Sequence, residues 1–111
     1  DGARLCWTAK VGFPAGAATC KAGAFSPLGD GPFGHADLAG NVAEWVLDYL
    51  GAYPEGPVVD PTGASFANER VVRGGAWHAT DATEFRAARR EGLNPRYVKS
   101  TVGFRCAAPA R

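Results

Sequence analysis

Glycine and proline punctuate this chain so densely that few long helices or strands can form. The 111 residues include 15 Gly and 8 Pro, about a fifth of the sequence. Glycine weakens regular elements through its backbone freedom, and proline does so because it lacks a backbone N–H. The sequence therefore predicts one small, loop-rich domain with short strands and little helix.

The secondary-structure signals are correspondingly short. Three segments predict strands: residues 70–73, 83–90 and 101–107. Residues 51–68 contain repeated Pro and Gly and predict a long surface loop, and residues 91–100 predict a second loop. Residues 37–50 fit two interpretations equally well: one helical face, or a tight loop through Asn41 followed by a strand or a short helical piece that ends near Leu50.

Charge is unevenly placed along the chain. Residues 1–69 contain 3 Lys or Arg against 8 Asp or Glu, whereas residues 70–111 contain 9 against 3. Pairing between the two parts is favoured over separate cation and anion sites. The arginines are not interleaved with aromatic residues as in a nucleic-acid-binding stripe. No apolar run approaches the ~20 residues of a membrane span. We therefore expect no nucleic-acid partner and no membrane span.

The segment DLAGNVAEW, which begins at Asp37, carries oxygen ligands of the kind that calcium prefers. Asp37 and Glu44 offer carboxylates, and a tight turn would aim the carbonyls of Gly40 and Val42 into the same space. Asn41 is expected to hydrogen-bond the loop backbone rather than bind the ion. From spacing alone, a helix cap at Asp37 with a solvated Glu44 is favoured over a calcium site.

The three cysteines, Cys6, Cys20 and Cys106, show no metal-binding spacing. A Cys6–Cys20 disulfide would close a 15-residue loop, add roughly 3 kcal/mol of stability and indicate an exported protein. Three free, mostly buried thiols are an equally good interpretation.

Two later motifs, RGGAWH at residues 73–78 and GFRC at residues 103–106, complete an ordered set that resembles the formylglycine-generating-enzyme or sulfatase-modifying-factor family. The matching stretches are residues 34–45, 60–63, 70–77, 85–89 and 102–107. The resemblance implies a C-type-lectin-like α+β fold: loop-rich, with a small twisted antiparallel sheet. It also implies that residues 1–111 are the C-terminal part of one domain, with an irregular region at 1–33 and a motif-bearing core at 34–111. A missing N-terminal segment or a partner chain would complete the domain.

The resemblance also bears on metals. The family often binds calcium through the loop matching residues 37–45, which favours a structural calcium at the four positions named above. The family's enzymes oxidise a substrate cysteine with two cysteines that bind copper(I), just after the paired glycines. Here Ala79 and approximately Thr83 occupy those places, so no copper and no catalytic residue are expected. The cysteine at position 106 tends to be disulfide-bonded in the family.

We therefore expect an exported, non-catalytic, calcium-stabilised binding or structural module, with a protein as its candidate ligand. One alternative is part of an oxidoreductase of the same family, either formylglycine-generating or an iron-dependent sulfoxide synthase. In that case Trp77, His78, Arg86 and Arg89 would lie near a ligand pocket. Another is a diversified lectin-fold receptor domain that varies between residues 77 and 102.

Overall fold

The computed structural model describes residues 4–7 and 19–108. Its strands are β1 (Ala43–Tyr49), β2 (Arg70–Arg73), β3 (Glu91–Leu93) and β4 (Val102–Gly103). They form one sheet in the order β3-β2-β1-β4, and a 3₁₀ helix spans Ala82–Phe85. Residues 19–33 form turns and irregular loop, as predicted, whereas residues 1–3 and 8–18 of that predicted region lie outside the described residues.

The sheet is antiparallel over its first three strands, as predicted, and mixed at its fourth. Trp45 of β1 lies opposite Val72 of β2, and β2 pairs with β3 in the same antiparallel sense. By contrast, β4 pairs in parallel with β1, with Val102 beside Ala43. Because β3 and β4 lie at opposite edges and run in the same direction, the connection between them must cross the sheet.

The core lies around the central strand β2. Val71 and Val72 are 1% and 2% exposed, because β2 has a paired strand on each side and loops against its faces. The other buried apolar residues of the described part are Cys6, Trp7, Ala76, Ala79 and Leu93. Within residues 4–7 and 19–108, no helix has the length and apolar character that crossing a bilayer requires.

Of the two interpretations for residues 37–50, the tight loop followed by a strand is correct. The strand at residues 70–73 and the long exposed loop at residues 51–68 are also confirmed. The final strand is shorter than the predicted 101–107, since β4 ends at Gly103.

Two local predictions are wrong. Residues 83–90 form no strand, because a capping box starts the 3₁₀ helix instead: Asp81 accepts from the N–H of Thr83 at 2.7 Å, and Glu84 accepts from the N–H of Asp81 at 3.3 Å. Residues 91–93, predicted as loop, form the edge strand β3, which exists through its pairing with β2. The sequence did not predict this strand because Gly92 at its centre lowers the local strand propensity.

The disulfide alternative is settled by the structure. Cys6 and Cys20 are bonded, with their Cα atoms 5.9 Å apart. Cys106 is a free, exposed thiol that lies beyond β4, and no other cysteine of this sequence remains to pair with it, so the disulfide suggested for it stays a prediction.

Candidate functional site

The loop that precedes β1 is fixed by contacts with the disulfide segment. Gly40 has φ +79°, and a Cβ there would lie 2.6 Å from the carbonyl oxygen of Cys6, so only glycine fits. Its N–H donates to the Gly74 carbonyl at 2.8 Å. Asn41, at φ +60°, accepts from the N–H of Cys20 at 3.1 Å and donates its own N–H to the Cys6 carbonyl at 2.9 Å. The prediction that Asn41 binds loop backbone is confirmed.

A guanidinium group lies at the acidic side of this loop. Arg105 donates from Nε to Oε2 of Glu44 at 2.6 Å, and its Nη2 donates to Oε1 of the same carboxylate. Nη1 donates to the carbonyl of Ala36 at 3.0 Å, and Nη2 donates to the carbonyl of Asp37 at 3.2 Å. The hydrogen bond to Glu44 raises the pKa of Arg105 despite some desolvation. Arg105 therefore connects the segment after β4 to the start of the loop that precedes β1.

Three of the four predicted calcium ligands come together here. Asp37, Val42 and Glu44 line one depression of about 390 Å³, whereas Gly40 does not line it. The donor types suit calcium, but Arg105 already holds Glu44, and the Asp37 carboxylate accepts from the N–H of Gly23 at 2.7 Å. Within the described residues, no cluster of three or more His, Cys, Asp or Glu side chains is arranged to hold a metal ion. These contacts neither supply nor exclude a calcium ion, so this site stays a prediction.

A second depression, of about 290 Å³, lies over the sheet. Its floor is apolar and takes in Val72 of β2, Leu93 of β3 and Val102 of β4. We call it the sheet cavity. Its charged rim consists of Arg73, His78, Glu84, Arg89, Glu91 and Lys99.

The predicted ligand residues divide between this cavity and its surroundings. His78 and Arg89 line the cavity, but Trp77 and Arg86 do not. The Trp77 ring packs beside the His78 ring, with the two centroids 5.3 Å apart, and so contacts one rim residue. Arg86 caps the 3₁₀ helix through its backbone N–H, and its side chain is exposed.

Sequence reasoning did not single out Lys99 and Glu91 as rim residues. Lys99 precedes β4 and Glu91 begins β3, two strands at opposite edges of the sheet. No local pattern places them near each other, and the only sequence signal for the cavity is the paired Gly74 and Gly75, whose backbone forms part of its wall.

The two positions at which the family resemblance predicts copper-binding thiols, Ala79 and approximately Thr83, differ from the cavity in burial and chemistry. Ala79 is 1% exposed, and its carbonyl accepts a hydrogen bond from the indole N–H of Trp7. The Trp7 ring packs edge-on against Phe85 at 5.0 Å between centroids. Thr83 lies exposed on the 3₁₀ helix. The first place is thus closed by aromatic packing, and the second is a solvated hydroxyl.

Comparison with known proteins identifies the family of this domain. Residues 9–110 match the family model described as the sulfatase-modifying factor enzyme 1-like domain. The chain belongs to this family. A formylglycine-generating enzyme of Streptomyces coelicolor is 39% identical over 85 residues, which cover 71% of this chain and 27% of that enzyme. A Chlamydia pneumoniae protein named serine/threonine-protein kinase pkn1 is 40% identical over 84 residues, which cover 68% of this chain and 13% of the kinase.

The solved structure of Treponema denticola variable protein 1 superposes on this family domain with a TM-score of 0.74 at 28% identity. The match covers 91% of this chain and 34% of that one. The predicted C-type-lectin-like fold of the formylglycine-generating-enzyme type is thereby confirmed. The chain spans about a quarter of the Streptomyces enzyme and a smaller share of the kinase, so it corresponds to one part of each.

Proposed function

We propose that this chain is a non-catalytic member of the sulfatase-modifying-factor family that acts as a binding or structural module. The observation that carries the proposal is the chemistry at the two copper places. Copper(I) requires soft thiolate ligands, and these places hold Ala79 and approximately Thr83. Two of the chain's cysteines are consumed in a disulfide, and the third, Cys106, lies beyond β4. His78 alone cannot replace a two-thiolate site.

The experiment is an oxidation assay on a peptide containing Cys-x-Pro-x-Arg, with copper and oxygen present. Mass spectrometry should find the substrate cysteine unchanged, while the Streptomyces coelicolor enzyme, run alongside, serves as the positive control. Conversion of the peptide to formylglycine by this chain would contradict the proposal. A Cys106→Ser variant shows whether any conversion depends on the one free thiol.

A diversified receptor domain is the second candidate, and two observations favour it. The structural neighbour carries the name variable protein, and it aligns over 91% of this chain. Five of the six charged rim residues of the sheet cavity also fall between residues 77 and 102, the stretch expected to vary in such a receptor. Sequencing the gene from many isolates tests this: substitutions concentrated in that stretch, with a template repeat nearby, are expected, and uniform variation contradicts it.

The exposed apolar surface supports a proposal about partners. Large apolar side chains of the described residues are exposed, with Leu47 at 83%, Phe66 at 77% and Phe104 at 76%. Exposed apolar surface of this kind is typical of interaction sites. We infer that another segment or a partner chain covers this surface.

An apolar dye such as anilinonaphthalene sulfonate tests that inference. The purified chain should bind the dye or self-associate in light scattering. A Leu47→Asp variant should bind less dye with its melting temperature nearly unchanged, since Leu47 packs against little. A strictly monomeric chain that binds no dye would contradict a covered surface.

We also propose that this module is exported and that it binds a structural calcium ion. The Cys6–Cys20 disulfide supports export, because such bonds persist in oxidising compartments. Detection of the native protein in the cytoplasmic fraction would contradict export. The donor types at Asp37 and Glu44 support calcium, which should raise the melting temperature relative to chelator. No shift, or an equal shift in Glu44→Gln, would contradict a calcium site at this loop.

A further inference from the structure

We propose that the sheet cavity binds a carboxylate attached to an apolar group, such as the C-terminal residue of a peptide. This inference rests on the proposed binding function and names the chemistry of its ligand. It starts from the shape of the cavity. The volume of about 290 Å³ lies just below the ~300–1,000 Å³ range of ligand pockets, which leaves room for about one amino-acid residue.

The floor of the cavity selects an apolar group. Val72 and Ala76 close the bottom of the cavity but are only 2% and 4% exposed, so the apolar surface open to a ligand belongs mainly to the partly exposed Ala43 and Val102. The backbone of Gly74 and Gly75 replaces side chains on one wall. At Gly75 a Cβ would lie 2.7 Å from the ring of Phe85, so glycine is required there. A ligand side chain that covers this floor removes apolar surface from water, which favours binding.

Two rim charges are already used inside the protein. Arg73 donates from Nη1 to the carbonyl of Ala87 at 2.7 Å, which fixes the chain after the 3₁₀ helix. The Glu84 carboxylate accepts from the N–H groups of Thr80 and Asp81 at 3.0 and 3.3 Å, as part of the capping box. Neither group has to leave its partner for the cavity to bind a ligand, so these two charges largely serve the fold.

The remaining rim charges favour an anion. The Arg89 and Lys99 side chains form no hydrogen bond or ion pair within the described residues, and both are exposed at the cavity mouth. Lys99 makes only a distant cation–π contact, with its Nζ 6.0 Å from the centroid of the Tyr97 ring. His78 adds a third nitrogen group to the same rim. Among the acidic rim residues in the described part, only Glu91 has no internal hydrogen bond or ion pair. The two cationic side chains of the rim therefore outnumber the one uncommitted carboxylate. Arginine and lysine are the usual partners of a carboxylate, with arginine able to bind both of its oxygens.

The test compares N-acetyl-phenylalanine with its amide. The two ligands differ only at one end, where the amide has a neutral carboxamide of similar size in place of the charged carboxylate. Titration followed by heteronuclear NMR on the purified chain should show binding of the acid, with shifts at the residues of β2 and β4. The amide should bind roughly tenfold or more weakly, because a charged hydrogen bond is lost. Affinity for the acid should also fall with added salt.

Variants assign the charge. Arg89→Ala and Lys99→Ala should each weaken binding of the acid several-fold without affecting the amide. Arg96→Ala is the matched control, since Arg96 is equally exposed but does not line the cavity. Both test positions are exposed, so the variants are expected to fold, and their melting curves verify this.

Three results would overturn the proposal: no binding of the acid at millimolar concentration, equal binding of acid and amide, or an Arg89 and Lys99 double variant that binds like the Arg96 control. Two peptides ending in phenylalanine, one free and one amidated, identify the source of the carboxylate. Tighter binding of the free peptide than of N-acetyl-phenylalanine indicates a peptide C-terminus, and equal binding indicates a small acid. Because peptide oxidation is measured separately, loss of this ligand proposal leaves the non-catalytic assignment intact.

Discussion

Opening the Cys6–Cys20 disulfide should destabilise this domain by about 3 kcal/mol. The bond joins residues 14 apart in sequence, and the chain-entropy model assigns roughly 3 kcal/mol to a closed loop of about 15 residues. With an unfolding entropy of about 2.1 cal/mol/K per residue over 111 residues, that loss lowers the melting temperature by roughly 13 °C. The bond also holds Cys20 against Asn41, so its loss should loosen the loop before β1 as well.

The perturbation is the double variant Cys6→Ala with Cys20→Ala, compared with the unchanged protein in circular-dichroism melts, with and without reductant. Cys106→Ser is the matched control, because Cys106 is exposed and unpaired. Reductant should lower the melting temperature of the unchanged protein and of this control, but not that of the double variant. Thiol titration of the folded protein should find only Cys106. Three reactive thiols, or a loss under about 4 °C on reduction, would refute the reasoning.

Two further substitutions test the loop and cavity geometry, both followed by urea unfolding. Gly75→Ala should cost about 2–4 kcal/mol, since its φ of +65° disfavours a side chain and its Cβ would meet the Phe85 ring, whereas Gly56→Ala, with positive φ in open space, should cost only about 1–2 kcal/mol. Equal losses would show that the Phe85 contact is unimportant. Asn41→Ala should cost about 1–3 kcal/mol by leaving the Cys20 backbone without its side-chain partner, and Asn41→Asp, which keeps the acceptor for the Cys20 N–H, should cost less.

The parts of the fold that sequence could predict are those set by local chemistry. Repeated Gly and Pro predict a loop-rich domain, and the RVVR segment of β2 predicts a short strand, because each signal depends only on neighbouring residues. The 3₁₀ helix at Ala82–Phe85 had a local signal as well, in the spacing of Asp81 and Glu84, and imperfect alternation obscured it. Strand β3 had none, since three residues centred on a glycine become a strand only by pairing with β2.

The candidate sites divide in the same way. The backbone role of Asn41 followed from its residue type in a tight loop, and the structure confirms it. Pairing between the acidic and basic parts of the chain was also expected, with Glu44, Asp48 and Asp60 as candidate partners of the arginines, and the Arg105–Glu44 pair confirms one of them. Arg105 contacts Glu44 because β4 lies in parallel beside β1, with Gly103 opposite Glu44. That register depends on the long connection after β3, so sequence spacing alone could not choose Glu44 over the other two acids.

Different positions carry the family pattern and the proposed recognition chemistry. Gly40, Asn41 and Gly75 lie in the motifs, and each satisfies a backbone requirement: a positive φ, a close approach or a loop hydrogen bond. Glu91 and Lys99 lie between the matching stretches, and their side chains face the sheet cavity with no internal hydrogen bond or ion pair in the described part. Substitution of these rim residues changes the charge of the cavity while leaving the motif contacts in place. A scaffold of this kind can therefore keep its motif contacts and its fold while residues outside its motifs change the ligand that the cavity favours.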